Sequence, residues 1–186
     1  MHLSLAGKFL IAMPGISDPR FERAVILVCS HSPQQAMGLV VNKPREELHL
    51  SDVLEHLGIP LSPPFGMHAV LDGGPVKPDR GYVLHSEDFE IESSTLPVAP
   101  GVRLTMTREV LEALGSQTPP AEFVLALGYA GWDGGQLEQE LLANVWLVAD
   151  AEKDLVFHQA LEDRWAHAIR RLGLDPSQLS GEVGRA

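Results

Sequence analysis

The sequence predicts an α+β fold. Many short apolar runs of β type fill the first two thirds of the chain. Stretches with helical spacing are fewer and fall irregularly among them. The regular strand–helix alternation of a doubly wound parallel sheet is missing. A length of 186 residues and 20.2 kDa suits one domain, 1–186, large enough to bury roughly 70% of the surface its unfolded chain exposes.

In chain order the expected strands are "KFLIAM" (8–13), "AVILVCS" (24–30), "MGLVVN" (37–42) and "HAVL" (68–71). They continue with "GYVLH" (81–85), "VRLTM" (102–106), "FVLAL" (123–127) and "VWLVA" (145–149). Each is rich in Val, Leu or Ile, and Gly, Pro, Asp or Ser lies near most of their ends. The unbroken apolar run 24–29 predicts a strand covered on both faces. "DLVFH" (154–158) reads either as a ninth strand or as the start of the last helix.

Four helices are expected. Ser51 caps the first, with Val53, Leu54 and Leu57 on one face and Gly58 ending it. Thr107 caps the second, with Val110, Leu111 and Leu114 inward and Gly115 as a left-handed stop. The third follows Gly135 and buries Leu137, Leu141 and Val145. The fourth and longest, 158–172, repeats Leu161, Trp165, Ile169 and Leu172 at helical spacing and ends at Gly173.

Composition excludes several function classes. A formal net charge of −11, with only 14 scattered Lys and Arg, argues against direct contact with nucleic acid, since neutralising phosphates takes clustered cations. A helix-turn-helix built from 158–172, "GLD" and "PSQLSGE" has a second helix too short and without a basic residue. The single cysteine, Cys29, forbids an intrachain disulfide and fits a reducing cytoplasm. No segment approaches the roughly 20 apolar residues of a membrane span, and no signal peptide is seen, so a soluble cytoplasmic protein is expected. HExxH, paired cysteines and tight His clusters are all missing, so neither a metal nor a cofactor is expected, although Asp52 and His56 sit four apart on one predicted helix face.

The stretch "LGYAGWDGGQLEQELLANVWL" (127–147) places glycines before a helix, as phosphate cradles do. Asp133 and Gln136, however, have capping-box spacing, and Glu138 and Glu140 follow where a phosphate would sit. No Lys-Ser/Thr pair follows, so a P-loop is excluded, and a helix cap is the favoured reading. Trp132 is either a partly exposed contact anchor or a staple packed on its own helix. The second glycine-rich run, "LDGGPVKPDRG" (71–81), joins two strands. Gly73 and Gly74 permit left-handed backbone there, and Lys77 and Arg80 bring local positive charge to an acidic chain. If both runs end on one side of the sheet, Trp132, Asp133, Lys77, Arg80 and the glycine amides share an edge suited to a protein or small-molecule partner. Cys29 beside His31 gives a redox candidate, but its apolar run favours a core thiol, and no residue is assigned a catalytic role.

Taken together, "LIAMPGISDPRF" (10–21), "AVILVCSH" (24–31), "MGLVVNKP" (37–44), "GGPV" (73–76), "GYVLH" (81–85) and the 127–147 stretch are similar to the AlgH/YqgE family of bacterial proteins. The likeness runs from about residue 5 to 150, and "QQAMG" (34–38) departs from it where the family usually has a Gly before Ala36. The resemblance implies a compact α+β domain with a bulged, strongly twisted, largely antiparallel or mixed sheet, and implies no enzymatic activity. The family is often labelled as transcriptional regulators, after an association with alginate production. For this chain the expected role is a non-enzymatic regulatory or binding module, with a DNA-binding regulator and a Cys29-centred thiol sensor as alternatives.

Overall fold

The architecture is organised by one long strand. In the computed structural model, which describes residues 3–62 and 65–179, that strand is β9 (Phe123–Asp133). The strands before it are β1 (Lys8–Ala12), β2 (Val25–Ser32), β3 (Gln35–Val40), β4 (Pro44–His49), β5 (Ala69–Asp72), β6 (Val76–His85), β7 (Thr95–Ala99) and β8 (Val102–Thr105). After it comes β10 (Trp146–Asp150), and the spatial order is β10-β1-β2-β3-β9-β6-β8-β7. One edge of β9 is divided between β5, parallel along Leu125–Leu127, and β3, antiparallel from Ala130 to Asp133. Its other edge carries β6, and β4 hangs from β5. The sheet is therefore antiparallel apart from the β5–β9 pair, and register shifts interrupt four of its ladders.

Alternation along the strands feeds two faces at once. In β1, Phe9 and Ile11 enter one core cluster while Leu10 and Ala12 enter another, and β2 divides Val25 and Leu27 from Ile26 and Val28 in the same way. This is why those runs are apolar at every position. The first cluster is closed by Leu155 and Val156 of α4 (Lys153–Phe157) and by Trp165, Ala168 and Ile169 of α5 (Arg164–Arg171). On the opposite face, α3 (Gln136–Leu142) contributes Leu137 beside Trp132 and Trp146. Further along, α1 (Leu50–His56) and α2 (Arg108–Gly115) cover Val70, Val83 and Leu125.

Several elements depart from expectation. Strand β4 is polar and paired only at its ends, and β7 is a short edge strand that tolerates Pro97, so neither carries an apolar run to be seen. The segment 154–158 forms helix rather than strand, and the expected helix 158–172 is broken. His158 closes α4 and Ala160 turns extended (φ −55, ψ 137) before a single 3-10 turn, Leu161–Asp163, leads into α5. Among the described residues five α-helices result instead of four, and Leu172 lies exposed past the end of α5. The first helix is capped by His49, whose N–H donates to Asp52 Oδ2 at 2.8 Å, not by Ser51. Thr107 does stand at the N-cap of α2. Gly115 is no left-handed stop: it is the last helical residue, where a Cβ would lie 2.3 Å from the Pro60 carbonyl oxygen.

Candidate functional site

The two glycine-rich runs cross backbone to backbone. Gly73 donates its N–H to Leu127 O at 2.8 Å and accepts from Val40 N–H at 2.9 Å. A Cβ on Gly74, whose φ is +146, would stand 2.2 Å from the Tyr129 carbonyl carbon, and one on Gly128 would stand 2.2 Å from Gly74 O. Only glycine permits so close an approach. Gly73 and Gly74 are thus buried, and the Gly74 N–H points to Asp72 Oδ1 at 3.3 Å. These glycines shape the site from behind and present no amide to it.

Just past the crossing, β6 loses register. Val76 faces Tyr129, but the next paired residue is Gly81, opposite Leu127. Residues 77–80 must therefore bulge out of the sheet, with Lys77 at φ 45 and Arg45 holding the Pro78 carbonyl at 2.7 Å. This corrects the reading of 71–81 as a simple connection: most of it is bulged strand. Likewise 129–133 is no loop but the end of β9, where Ala130 and Trp132 point inward and alternate with exposed Gly131 and Asp133.

The bulge and the end of β9 enclose a cavity of about 570 Å³, whose lining includes Lys77, Arg80, Tyr82, Tyr129, Trp132 and Asp133. Four of the proposed contact residues therefore share one wall system, while the two glycines lie behind it. The Arg80 guanidinium sits 5.8 Å over the Tyr82 ring, and that ring meets Tyr129 edge-on at 5.7 Å. Burial pushes the Tyr82 phenol above its ordinary range, with Arg80 acting against the shift. Tyr82 and Tyr129 carried no signal in the sequence, because aromatic residues in strands normally read as core.

Trp132 is packed, 6% exposed. Its Nε1 donates to Glu140 Oε2 at 2.9 Å, and Trp146 Nε1 donates to the same oxygen at 2.7 Å. The two rings meet edge to face at 6.3 Å. Trp132 is thus fixed onto α3 as a staple, with a part of it still facing the cavity. The helix cap differs from the expected one. Gly135, at φ 79, is the N-cap of α3, and the Asp133 carboxylate bonds to none of its amides. Only the return half of the capping box forms, Asp133 N–H to Gln136 Oε1 at 3.1 Å. Asp133 pairs with Gln35 across β9 and β3 instead, which leaves its carboxylate at the cavity.

Cys29 is the extra residue of a bulge in β2. The residue as a whole is half-buried, but its thiol packs against the core, and burial pushes it up to about 12. His31 does not activate it. That ring accepts the Leu5 N–H at Nδ1 (2.9 Å), so Nε2 carries the proton and donates to Glu138 Oε1 at 2.8 Å. Where a helix-turn-helix would need its second helix, a 3-10 turn, Pro176–Gln178, follows α5, in line with the sequence argument against that motif. Residues 180–182 of that segment lie outside the described residues.

Residues 9–177 match an AlgH-like family model. A UPF0301 protein of Caulobacter vibrioides is 49% identical over 183 residues, covering 98% of this chain and 94% of that protein. A UPF0301 protein of Methylobacterium nodulans is 47% identical over 189 residues, with 98% and 90% covered. Among solved structures, the solution structure of AlgH from Pseudomonas aeruginosa has a TM-score of 0.80 at 39% identity and covers 100% of this chain and 98% of that one. A crystal structure of a Corynebacterium diphtheriae protein, at 22% identity and a TM-score of 0.69 over 91% of this chain and 88% of that one, shares the fold.

Proposed function

The chain belongs to the AlgH-like family, and from that membership we propose that it works as a non-enzymatic binding module, cytoplasmic, holding a protein segment or a small ligand in the cavity between the 77–80 bulge and the end of β9. The observation that carries this reading is the convergence of Lys77, Arg80, Trp132 and Asp133 on one cavity from strands that the sequence separates by some fifty residues. A cavity of about 570 Å³ lies in the usual size range for small-molecule sites. Chemistry finds less support than binding: Cys29 has no base, and His31 is committed at both ring nitrogens. A regulatory role, if exercised, runs through this contact rather than through DNA, because the −11 charge and dispersed cations give little counterion release.

Co-purification from native cells tests the proposal, with mass spectrometry of proteins and small molecules retained by the wild type and by a Lys77→Ala/Arg80→Ala double variant. The expected result is a retained species that the double variant loses while its melting curve is unchanged. Equal retention by both would remove the cavity from consideration. A salt-resistant, sequence-specific DNA complex at nanomolar concentration would replace the proposal with a DNA-binding one.

A further inference from the structure

We infer that the cavity beside the 77–80 bulge is a site for a small oxyanion-bearing metabolite, whose carboxylate or phosphate is held by Lys77 and Arg80 against the Tyr82 and Tyr129 hydroxyls. This rests on the binding role proposed above and names the chemistry of the occupant.

The first ground is charge in the wrong place for an acidic protein. Lys8, Arg20, Arg103, Arg108 and Arg171 each have a carboxylate partner, and Arg164 and Arg45 are held by backbone carbonyls. Among the described residues Lys77 and Arg80 have no carboxylate within 4.0 Å, as is also true of Arg23, Lys43, Lys153 and Arg170; what sets this pair apart is the two tyrosines that line the same cavity. The bulge also sorts its own charges. Lys77 and Arg80 line this cavity, while Asp79, between them in sequence, lines a different one together with Arg45 and Asp52.

Unused hydrogen-bonding capacity is the second ground. Among the described residues the hydroxyls of Tyr82 and Tyr129 have no hydrogen-bond partner, and neither is a buried orphan, so both face the open cavity that their rings line. The edge-on contact of the two rings and the Arg80 cation over Tyr82 hold these donors in place without occupying them. Two cations and two phenolic donors at one end of a cavity match the needs of an oxyanion, and a guanidinium is suited to carboxylate or phosphate alike.

At the other end stands the opposite chemistry. Asp133 lies four residues beyond Tyr129, about 13 Å along the strand. Among the described residues its carboxylate has no partner, and Gln35 is its cross-strand neighbour on the same wall. An occupant with an oxyanion at the bulge end and a donor group, such as an amine or amide, at the Asp133 end satisfies both.

The test is a proton–nitrogen NMR titration of the full chain with inorganic phosphate and, separately, with succinate, against sodium chloride at matched ionic strength. Saturable shifts are expected at Arg80, Tyr82, Tyr129 and Gly131 with at least one of the two oxyanions, and none that saturate with chloride. Phosphate alone saturating assigns a phosphate ligand, and succinate alone a carboxylate one. Lys77→Ala and Arg80→Ala should each weaken the saturating anion about tenfold. Both positions are exposed, so their melting curves should match the wild type, and Arg80→Lys should recover part of the loss. Shifts that track ionic strength equally for all three salts, or that centre elsewhere, overturn the assignment. If neither oxyanion saturates while the double alanine variant still loses a native partner, the oxyanion assignment fails and the binding role stands.

Discussion

Replacing Glu140 should cost far more stability than an exposed helix glutamate normally does. Its Oε2 accepts from both Trp132 and Trp146, at 2.9 and 2.7 Å, and its Oε1 accepts from Gln136 Nε2 at 3.0 Å. Both indoles are buried, at 6% and 5% exposure, so Glu140→Ala strands two N–H donors where water reaches poorly. A hydrogen bond to a charged acceptor contributes about 1.5–3 kcal/mol. Glu140 is itself only half-buried, so the lower value applies to each indole, and the total is about 3 kcal/mol. Glu140→Gln keeps a carbonyl oxygen for the indoles and loses the charge, so about 1 kcal/mol is expected. Urea unfolding at neutral pH, followed by far-ultraviolet circular dichroism, gives both numbers without using tryptophan as the probe. A loss below about 1 kcal/mol for Glu140→Ala, or equal losses for Ala and Gln, would refute the claim that this carboxylate fixes Trp132 in the cavity wall.

Asp133→Ala should change stability by less than about 0.5 kcal/mol, because Gly135 caps α3 and the Asp133 carboxylate caps nothing; a denaturant melt showing a loss near 1 kcal/mol would restore it as the cap. Cys29 should react with a disulfide reagent at pH 8 far more slowly than in the unfolded chain, since burial pushes its thiol up to about 12, and equal rates would contradict this. Stability should fall on acidification below pH 6.5. His85 is buried, gives its Nδ1 proton to Ser86 O at 2.9 Å and accepts from Thr105 Oγ1 at Nε2 (2.7 Å), and burial lowers its pKa below the ordinary 6.5. A lowered folded pKa means the unfolded chain binds the proton more readily, so this contribution is complete above 6.5 and is lost as pH falls through the folded value. Urea midpoints at pH 7.5 and 5 should show the loss, a smaller one in His85→Gln, and an identical pH dependence in that variant would count against the argument.

The apolar strands were legible because alternate residues feed separate clusters on the two faces, which forces unbroken Val, Leu and Ile runs such as 24–28. Strand β4 was not, because "PREELH" pairs only at Pro44 and His49 and its pattern carries no buried face. The helix caps were half legible. Gly58 and Gly173 do turn left-handed at φ +68 and +76, but Gly115 answers to the Pro60 backbone, a contact from a distant segment that no local pattern encodes. At the site, the glycines, Lys77, Arg80 and Trp132 stood out as unusual residues in unusual places. Their meeting depends on the crossing of Gly74 with Gly128 and on a register shift in β6, both set by tertiary packing. The two tyrosines were hidden for the opposite reason, since nothing about them is unusual in a strand.

Whether Lys77 and Arg80 act at one cavity with the end of β9 is decided by affinity capture of the native partner or ligand with wild type, Lys77→Ala/Arg80→Ala and Asp133→Asn side by side. Both variants should weaken capture of the same species while melting within a degree or two of wild type. Capture unchanged in both, from folded protein, would contradict it.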